Sequence, residues 1–367
     1  MPSFHQATIP PCELHAASLG CRAQSCKPTT ARPHDGWHSR PGVVVLSVKA
    51  SATAYEATSA TSTQSWRHEL PCGLHLEMLR RSPRLPATTR GVLLFVHGAR
   101  HGAWCWEEHF LGFFAEHGWD AFAMSLRSHG GSDMDDHPGC MTECLEDLQH
   151  VIKSLPQPPV LVAHSMSGLI LQQYLIEVAN GRSMAHVTGV ALLCSAGMLK
   201  AAPDMQYFQA QSSLWHLLKV VWWMLSKSLS NIALNRQMLF SSDIPLDMLR
   251  RYQRRLENAP NLLAFTQGDV AEGVKMAEGL ARPISCGVPV FAISAGNDGI
   301  IMPHQVEDGA AMFGAHAHRI PGLAHDLMLC ERWESAAVCL EDWLETIPGS
   351  TSLQQQPLQQ AGPKKTV

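Results

Sequence analysis

Charged residues are scarce in this 367-residue sequence: 28 Lys and Arg with 32 Asp and Glu make up 16% of the chain. The formal net charge is only −4, and no block of Lys or Arg stands on one face, which argues against a nucleic-acid partner. No internal repeat is visible either. Hydrophobic residues reach 46%, so the chain can bury a substantial core and has the composition of a globular protein.

Metal-binding cysteine motifs are also missing. The eleven cysteines are scattered and odd in number, and they include no C-x-x-C pair and no Cys/His set at metal-ligand spacing. Cys140 and Cys144 share a predicted helix face and are interpreted as small buried hydrophobic residues, with a disulfide or redox switch as the alternative. This pattern favours a reducing compartment, and the sequence predicts neither a metal nor an organic cofactor.

The two ends of the chain differ from its middle. Residues 1–66 are rich in Ser, Ala, Thr and Pro and contain more basic than acidic residues, which is typical of organellar transit peptides. We therefore expect a cleaved segment that directs the protein to the chloroplast, with the mitochondrion or the cytoplasm, and an ordinary disordered tail, as alternatives. The Gln-rich stretch 349–367 is predicted to be a disordered tail.

Strands and helices alternate between these ends. Uninterrupted apolar runs predict buried strands, separated by helical patterns, at residues 91–96, 159–163, 189–194 and 289–294. The alternation predicts an α/β fold with a mostly parallel, doubly wound sheet and helices on both faces. Because such sheets carry their sites at the carboxyl ends of the strands, residues far apart in sequence are expected to meet there.

The alternation stops after the sixth strand and resumes near Val288. We therefore predict a core formed by residues 67–195 and 286–348, with a helical lid at 196–285 over the carboxyl ends of the strands. A nearly all-apolar stretch of this lid is shorter than the roughly 20 residues of a membrane span. It is interpreted as a buried lid helix, a wall of an apolar substrate pocket, or a peripheral contact with a membrane surface. Its candidate substrate-binding residues are Trp215, Leu218, Trp222, Trp223 and Met224.

A serine stands where the strand at 159–163 passes without a loop into a helix. Ser165 lies in the sequence AHSMS, at a sharp turn and at a helix N-terminus whose unpaired N–H groups face developing negative charge. This position suits a nucleophile, although a serine that only caps the helix fits the same pattern. A serine nucleophile needs a base and an orienting carboxylate, and Asp298 and His325 each follow a later predicted strand.

This arrangement resembles the α/β-hydrolase family. The turn at Ser165 is similar to the family's G-x-S-x-G nucleophile elbow, with Ala163 and Ser167 in place of the two glycines, and the chain order Ser165, Asp298, His325 is that of the family's triad. The resemblance covers roughly residues 74–346. It implies an α/β-hydrolase fold and a Ser-His-Asp triad made by these three residues.

The resemblance also implies an oxyanion hole, formed by the backbone N–H groups of Ala99 and Met166.

Two blocks, HGARHGAWCW at 97–106 and GLAH with MLCE at 322–331, are similar to the plant methylesterase and hydroxynitrile lyase group. The lyases of that group carry a lysine directly after the catalytic histidine. Asp326 occupies that position here, which favours an esterase over a lyase.

Other polar residues near these motifs have plainer interpretations. His101 and His164 are interpreted as packing residues. Arg100 and His129 are interpreted as solvated surface, with a position at the mouth of the site as the alternative. Asp326, as the sequence neighbour of the base, is not expected to reach behind the imidazole ring.

The predicted function is hydrolysis of a carboxylic ester with a hydrophobic acyl or acid part, through an acyl-enzyme. The substrate is expected to be a small-molecule or lipid ester. Three alternatives remain: a small-molecule methylesterase, an acyltransferase on the same scaffold, and a non-catalytic ligand-binding protein. The oligomeric state is not predicted.

Overall fold

A single mixed sheet carries the site. The computed structural model describes residues 62–84, 89–134, 139–198, 231–257, 273 and 275–348. Within these residues, one sheet contains eight strands. They are β1 (Gln64–Glu69), β2 (His75–Arg81), β3 (Gly91–Val96), β4 (Trp119–Met124), β5 (Val160–His164), β6 (Gly189–Leu193), β7 (Val290–Ala295) and β8 (Ala317–Ile320).

Helices connect and cover these strands. In the described ranges they are α1 (Trp104–Glu107), α2 (Phe110–Glu116), α3 (Met141–Ser154), α4 (Ser167–Ala179), α5 (Ile232–Leu239), α6 (Leu246–Glu257), α7 (Pro303–Ala311) and α8 (Glu334–Leu344). Local signals fix some of their ends. The Glu143 carboxylate accepts the Cys140 N–H at 2.8 Å at the start of α3, and Pro303 opens α7, where a missing N–H costs nothing.

The strand order places one crevice at the centre of the sheet. The order is β1-β2-β4-β3-β5-β6-β7-β8, with β1 antiparallel to β2, β2 antiparallel to β4, and parallel pairing from β4 to β8. The chain runs from β3 to β4 on one side and then places β5 on the other side of β3. The direction of winding therefore reverses between β3 and β5, and their carboxyl ends frame a crevice.

Alternate residues of the parallel strands enter different cores. Leu93 and Phe95 of β3 belong to the hydrophobic cluster on one face of the sheet, and Leu94 and Val96 belong to the cluster on the other face. Both faces are covered by helices, so strands such as β3 and β6 are apolar at every position. This is why uninterrupted apolar runs predicted them.

The α/β-hydrolase fold and the insertion point after the sixth strand agree with the sequence prediction. Two local predictions need correction. The sequence pattern of residues 104–116 predicts a single helix, but residues 108 and 109 separate α1 from α2. β1 begins at Gln64, so the boundary placed at residue 66, between the expected cleaved segment and the core, lies inside a strand. β1 is an edge strand with a mostly exposed surface, and it therefore lacks an apolar pattern.

Several predictions fall outside the described residues. Residues 1–61, the tail 349–367 and the Trp-rich stretch with its five candidate residues are among them. The division into core and lid stays a prediction, although α5 and α6 lie within the expected lid. Every cysteine of the described ranges is free. Among the described residues, no helix combines the length and the apolar composition of a transmembrane span.

Gly168 tests how tightly α4 packs on the sheet. A Cβ atom at this position would lie 2.0 Å from Ser195 Oγ and 2.4 Å from Ser195 Cβ. We expect Gly168→Ala to lower the free energy of unfolding by roughly 1–3 kcal/mol, as overpacking does elsewhere. Urea denaturation measures this. Gly112→Ala in α2 is the matched control, since its Cβ would meet only the flexible Arg81 guanidinium. Equal stability of the two variants would contradict tight packing at Gly168.

Candidate active site

The turn between β5 and α4 holds Ser165 in a strained conformation. Its φ is 54°, in the left-handed region that non-glycine residues rarely adopt. The Ser165 N–H donates to the Leu193 carbonyl of β6 at 2.9 Å, and the Gly168 N–H donates to the Ser165 carbonyl at 3.0 Å. The strand therefore passes into the helix within two residues, Ser165 and Met166, and the hydroxyl projects from the corner as an elbow requires.

Ser167 replaces the second elbow glycine without opening the turn. Its buried Oγ lies within hydrogen-bond distance of three carbonyl oxygens: that of His164, and those of Val96 and His97 at the end of β3. The shortest of these contacts is to His97. The Ser167 hydroxyl thus connects the end of β3 and the loop after it to the turn at Ser165. A glycine at this position could not make these contacts.

Ser165, His325 and Asp298 form one hydrogen-bonded line. The Ser165 hydroxyl lies 2.9 Å from His325 Nε2, and His325 Nδ1 lies 2.8 Å and 3.0 Å from the two carboxylate oxygens of Asp298. The His325 and Asp298 side chains are almost completely buried. The structure therefore brings together the three residues that the sequence placed after β5, β7 and β8. This is the geometry in which a serine hydroxyl can lose its proton to an imidazole.

Backbone amides fix the Asp298 carboxylate. Oδ1 accepts the N–H groups of Ile300 and Ile301, each at 2.8 Å. The Cys194 thiol adjoins the carboxylate, and burial together with the Asp298 charge raises the pKa of that thiol, which keeps it protonated. These contacts leave the carboxylate one orientation, in which it faces His325.

Opposing effects act on His325. Burial lowers the pKa of the imidazole, but the charge and hydrogen bond of Asp298, with the charge of Asp326, outweigh it and raise the pKa above 6.5. A raised pKa strengthens the imidazole as a base, while a larger share of it is protonated in mildly acidic solution.

The loop after β3 approaches the elbow closely at Gly98. A Cβ atom there would lie 2.7 Å from His164 Nδ1 and 3.0 Å from Ser165 Cβ, so only glycine fits. Ala99 follows Gly98, and Met166 caps α4 beside Ser165. Within the described part of the chain, neither the Ala99 N–H nor the Met166 N–H donates to another protein group. Both donors remain available for an oxygen bound beside Ser165.

His97 orients the peptide that contains the Ala99 N–H. Its Nδ1 lies 2.7 Å from the Gly98 carbonyl oxygen, and its Nε2 lies 2.9 Å from the Leu126 N–H. Since Leu126 can only donate, the ring carries its proton on Nδ1 and donates it to Gly98. Burial lowers the pKa of His97 well below 6.5, so the ring is neutral. The Gly98 carbonyl and the Ala99 N–H belong to one rigid peptide, so this bond fixes the direction of the donor.

Three residues near the motifs differ from their sequence interpretation. His101, expected only to pack, places Nε2 3.0 Å from the Asp326 carboxylate and Nδ1 2.9 Å from the Ala99 carbonyl. Arg100 and His129, expected to be solvated surface, are 8% and 1% exposed. Asp326 is fully buried and bonds His101, a contact that was not predicted, and it does not reach behind the ring of His325, in agreement with its sequence interpretation.

His164 packs against the base, in agreement with its sequence interpretation. Its ring centroid lies 4.8 Å from that of His325, and Nε2 lies 2.9 Å from the His325 carbonyl oxygen. Burial lowers the pKa of His164 to about 3, so its neutral ring donates from Nε2. This bond holds the histidine loop against the end of β5.

Metal ligands of suitable type also meet here. His164, His325 and Asp326 form one group whose donor atoms lie within 4.8 Å of one another, and Cys194, Asp298 and His325 form a second. Both groups require His325, and both of its ring nitrogens already have hydrogen-bond partners. A metal ion would have to displace the contact with Ser165 or the contact with Asp298.

The sequence matches the Alpha/beta hydrolase family over residues 93–337, more than half of the chain. The chain belongs to the alpha/beta hydrolase family. The match confirms the family resemblance inferred from the motifs. The finer similarity to plant methylesterases and hydroxynitrile lyases stays a prediction. No curated protein matches this sequence.

Solved structures of other α/β hydrolases share the fold. A thermophilic esterase from Thermogutta terrifontis is 18% identical, with a TM-score of 0.53 over 78% of this chain and 100% of the other. A candidate aryl esterase from Burkholderia cenocepacia is 16% identical, with a TM-score of 0.57 over 77% and 98%. An N-acyl homoserine lactone degrading enzyme is 15% identical, with a TM-score of 0.52 over 75% and 99%. At these identities the likeness concerns the fold.

Covalent labelling tests the electrostatics of this hydrolase without a known substrate. A fluorophosphonate should modify Ser165 only when His325 is unprotonated, because the ring must accept the hydroxyl proton. Since the pKa of His325 is raised, the labelling rate should rise with pH through a midpoint above 6.5.

Asp298→Asn should slow the labelling by about 10³–10⁴-fold, since the imidazole then holds the wrong tautomer. Ser165→Ala is the control for background reaction. A labelling rate that is flat between about pH 5 and pH 9 would contradict control by this histidine.

Proposed function

We propose that this α/β hydrolase is a serine hydrolase that cleaves a carboxylic ester. The proposal is carried by one observation: the Ser165 hydroxyl lies 2.9 Å from a buried imidazole whose other nitrogen lies 2.8 Å from a carboxylate. A serine that only caps a helix needs no such partners, so this contact argues against the capping interpretation. The esterase neighbours have the same fold and are compatible with this chemistry.

Acylation begins at the Ser165 hydroxyl. His325 Nε2 takes the hydroxyl proton while Oγ attacks the ester carbonyl, and Asp298 stabilises the imidazolium that forms. The carbonyl oxygen becomes an oxyanion, which the N–H groups of Ala99 and Met166 stabilise. His325 then gives its proton to the departing alcohol, and the acyl group remains on Ser165.

Deacylation repeats the sequence with water. His325 takes a proton from water, which attacks the acyl carbon, and the tetrahedral intermediate forms in the same oxyanion hole. Its collapse releases the carboxylic acid as Ser165 recovers the proton from His325. The chain needs no cofactor for either half-reaction.

The substrate class rests on the sequence of the lid. The sequence predicted to form the lid contains Trp215, Trp222 and Trp223, and on this apolar composition we propose an ester whose acyl or acid part is hydrophobic, either a lipid or a small molecule. Relative activity against short and long acyl esters separates this substrate from that of a small-ester methylesterase. An acyltransferase would instead yield transfer products when an alcohol acceptor is added.

Replacing the nucleophile tests the proposed chemistry. Ser165→Ala should abolish hydrolysis of an aryl ester such as p-nitrophenyl butyrate, with the melting temperature nearly unchanged because the side chain is partly exposed. Ser195→Ala is the matched control: Ser195 is buried beside α4, and its Oγ has no hydrogen-bond partner in the described residues. That variant should keep its activity. Substantial hydrolysis by folded Ser165→Ala protein would refute the assignment.

A further inference from the structure

A second polar pair lies beside the Ser165–His325–Asp298 line and has no part in the mechanism above. His101 Nε2 lies 3.0 Å from Asp326 Oδ2, and the two side chains are 3% and 0% exposed. Burying two ionisable groups is costly unless they compensate each other. Because of this cost, the pair is a candidate for a functional role.

The hydrogen bonds of His101 indicate its charge. One ring nitrogen faces the Asp326 carboxylate and the other lies 2.9 Å from the Ala99 carbonyl oxygen. Both partners can only accept, so the ring satisfies them by donating from both nitrogens, as an imidazolium does. Burial alone would raise the pKa of Asp326, but attraction and hydrogen bonding from His101 lower it. The contact is therefore an ion pair.

The pair joins the loop after β3 to the loop after β8. His101 binds the carbonyl of Ala99, whose N–H is one oxyanion donor, and Asp326 directly follows His325. The Asp326 N–H also donates to the Leu239 carbonyl at the end of α5, at 2.9 Å, and so fixes the histidine loop from its other side.

We propose that His101 and Asp326 are positioning residues, whose buried ion pair holds the oxyanion loop and the histidine loop at one fixed separation. The pair also places a negative charge near His325 and balances that charge with a positive one. Asp326 thus favours the protonated base, and His101 moderates that effect. This inference rests on the proposed roles of Ser165, His325 and Asp298.

Other titratable groups surround the pair and the base. His97 follows β3, His129 lies after β4 and His164 ends β5, and burial lowers the pKa of each ring, so these rings are neutral. Burial raises the pKa of the three nearby thiols, so they are neutral as well: Cys105, Cys194 and Cys330. Among the described residues, Asp298 is the remaining charged neighbour of His325. Changes at His101 or Asp326 should therefore act on His325 directly.

Removing the charge of Asp326 and removing the charge of His101 should move the acidic limb of the pH profile in opposite directions. In Asp326→Asn, His325 loses a nearby negative charge, so the acidic limb of the pH profile of kcat/KM should move to lower pH. In His101→Gln, Asp326 loses its compensating cation, so the limb should move to higher pH. Each shift should be about half a pH unit or more. The double variant should return the limb towards its wild-type position.

Both single variants should also lower kcat more than they change KM. A displacement of about 1 Å at a reacting centre can cost about 100-fold, so we expect losses of roughly 10- to 100-fold in kcat. Glu341→Gln is the matched control, since it breaks a largely buried ion pair with Arg90 just before β3, at the opposite end of that strand. It should lower the melting temperature and leave both kcat and the acidic limb unchanged.

The outcomes are separable. The positioning role is wrong if the folded variants of His101 and Asp326 have a lower melting temperature but unchanged kcat, as is expected of Glu341→Gln. It is also wrong if the acidic limb moves in the same direction in the two single variants. If a single variant fails to fold, the double variant His101→Leu with Asp326→Leu decides, because it removes both charges and leaves no polar groups that can bond across the two loops. Full kcat in the double variant would overturn the inference. Activity in Ser165→Ala would instead overturn the proposed function itself.

Discussion

Ser165 adopts a left-handed backbone conformation at the junction of β5 and α4, and the geometry of the site depends on it. The conformation is unfavourable for a residue with a Cβ atom, so the surrounding structure must hold it. β6 accepts the Ser165 N–H, and the loop after β3 packs against the Ser165 side chain through Gly98. Because the turn is held from both sides, the hydroxyl has one direction to point, towards His325.

The same constraint explains the unusual elbow. Two glycines are the usual solution where a strand and a helix meet this closely, and this chain has Ala163 and Ser167 instead. The Ser167 hydroxyl bonds carbonyl groups at the end of β3, so the position that departs from the pattern ties the nucleophile to the oxyanion loop. The next residue, Gly168, lies in close contact with Ser195.

Buried polar groups then join the loops into one unit. His97 fixes the peptide of Ala99, His164 holds the backbone of His325, and His101 pairs with Asp326 between them. Two atoms of this network, His164 Nδ1 and Asp326 Oδ1, have no hydrogen-bond partner in the described residues, so its main effect is to position the loops rather than to add stability. Rigid donors are what an oxyanion hole needs, since they stabilise developing charge without reorganising.

The sequence predicted the features that depend on neighbouring residues or on the order of motifs along the chain. Strand β3 was predicted at its observed limits because a strand buried on both faces is a continuous apolar run. Ser165, Asp298 and His325 could be assigned to one site because each follows the end of a predicted strand. The exposed edge strand β1 has no such pattern, and the pairing of His101 with Asp326 spans 225 positions, which no local signal reveals. The substrate, the chloroplast destination and the plant-group similarity stay predictions.

The central claim is that Ser165 carries the acyl group between two half-reactions. Rapid acid quenching of the enzyme with an activated aryl ester, followed by peptide mass spectrometry, tests this directly. The account predicts a mass increase equal to one acyl group on the peptide that contains Ser165, formed within the first turnover and lost as substrate is exhausted. Steady hydrolysis with the acyl group on another residue, or with no acylated peptide even when deacylation is slow, would contradict it.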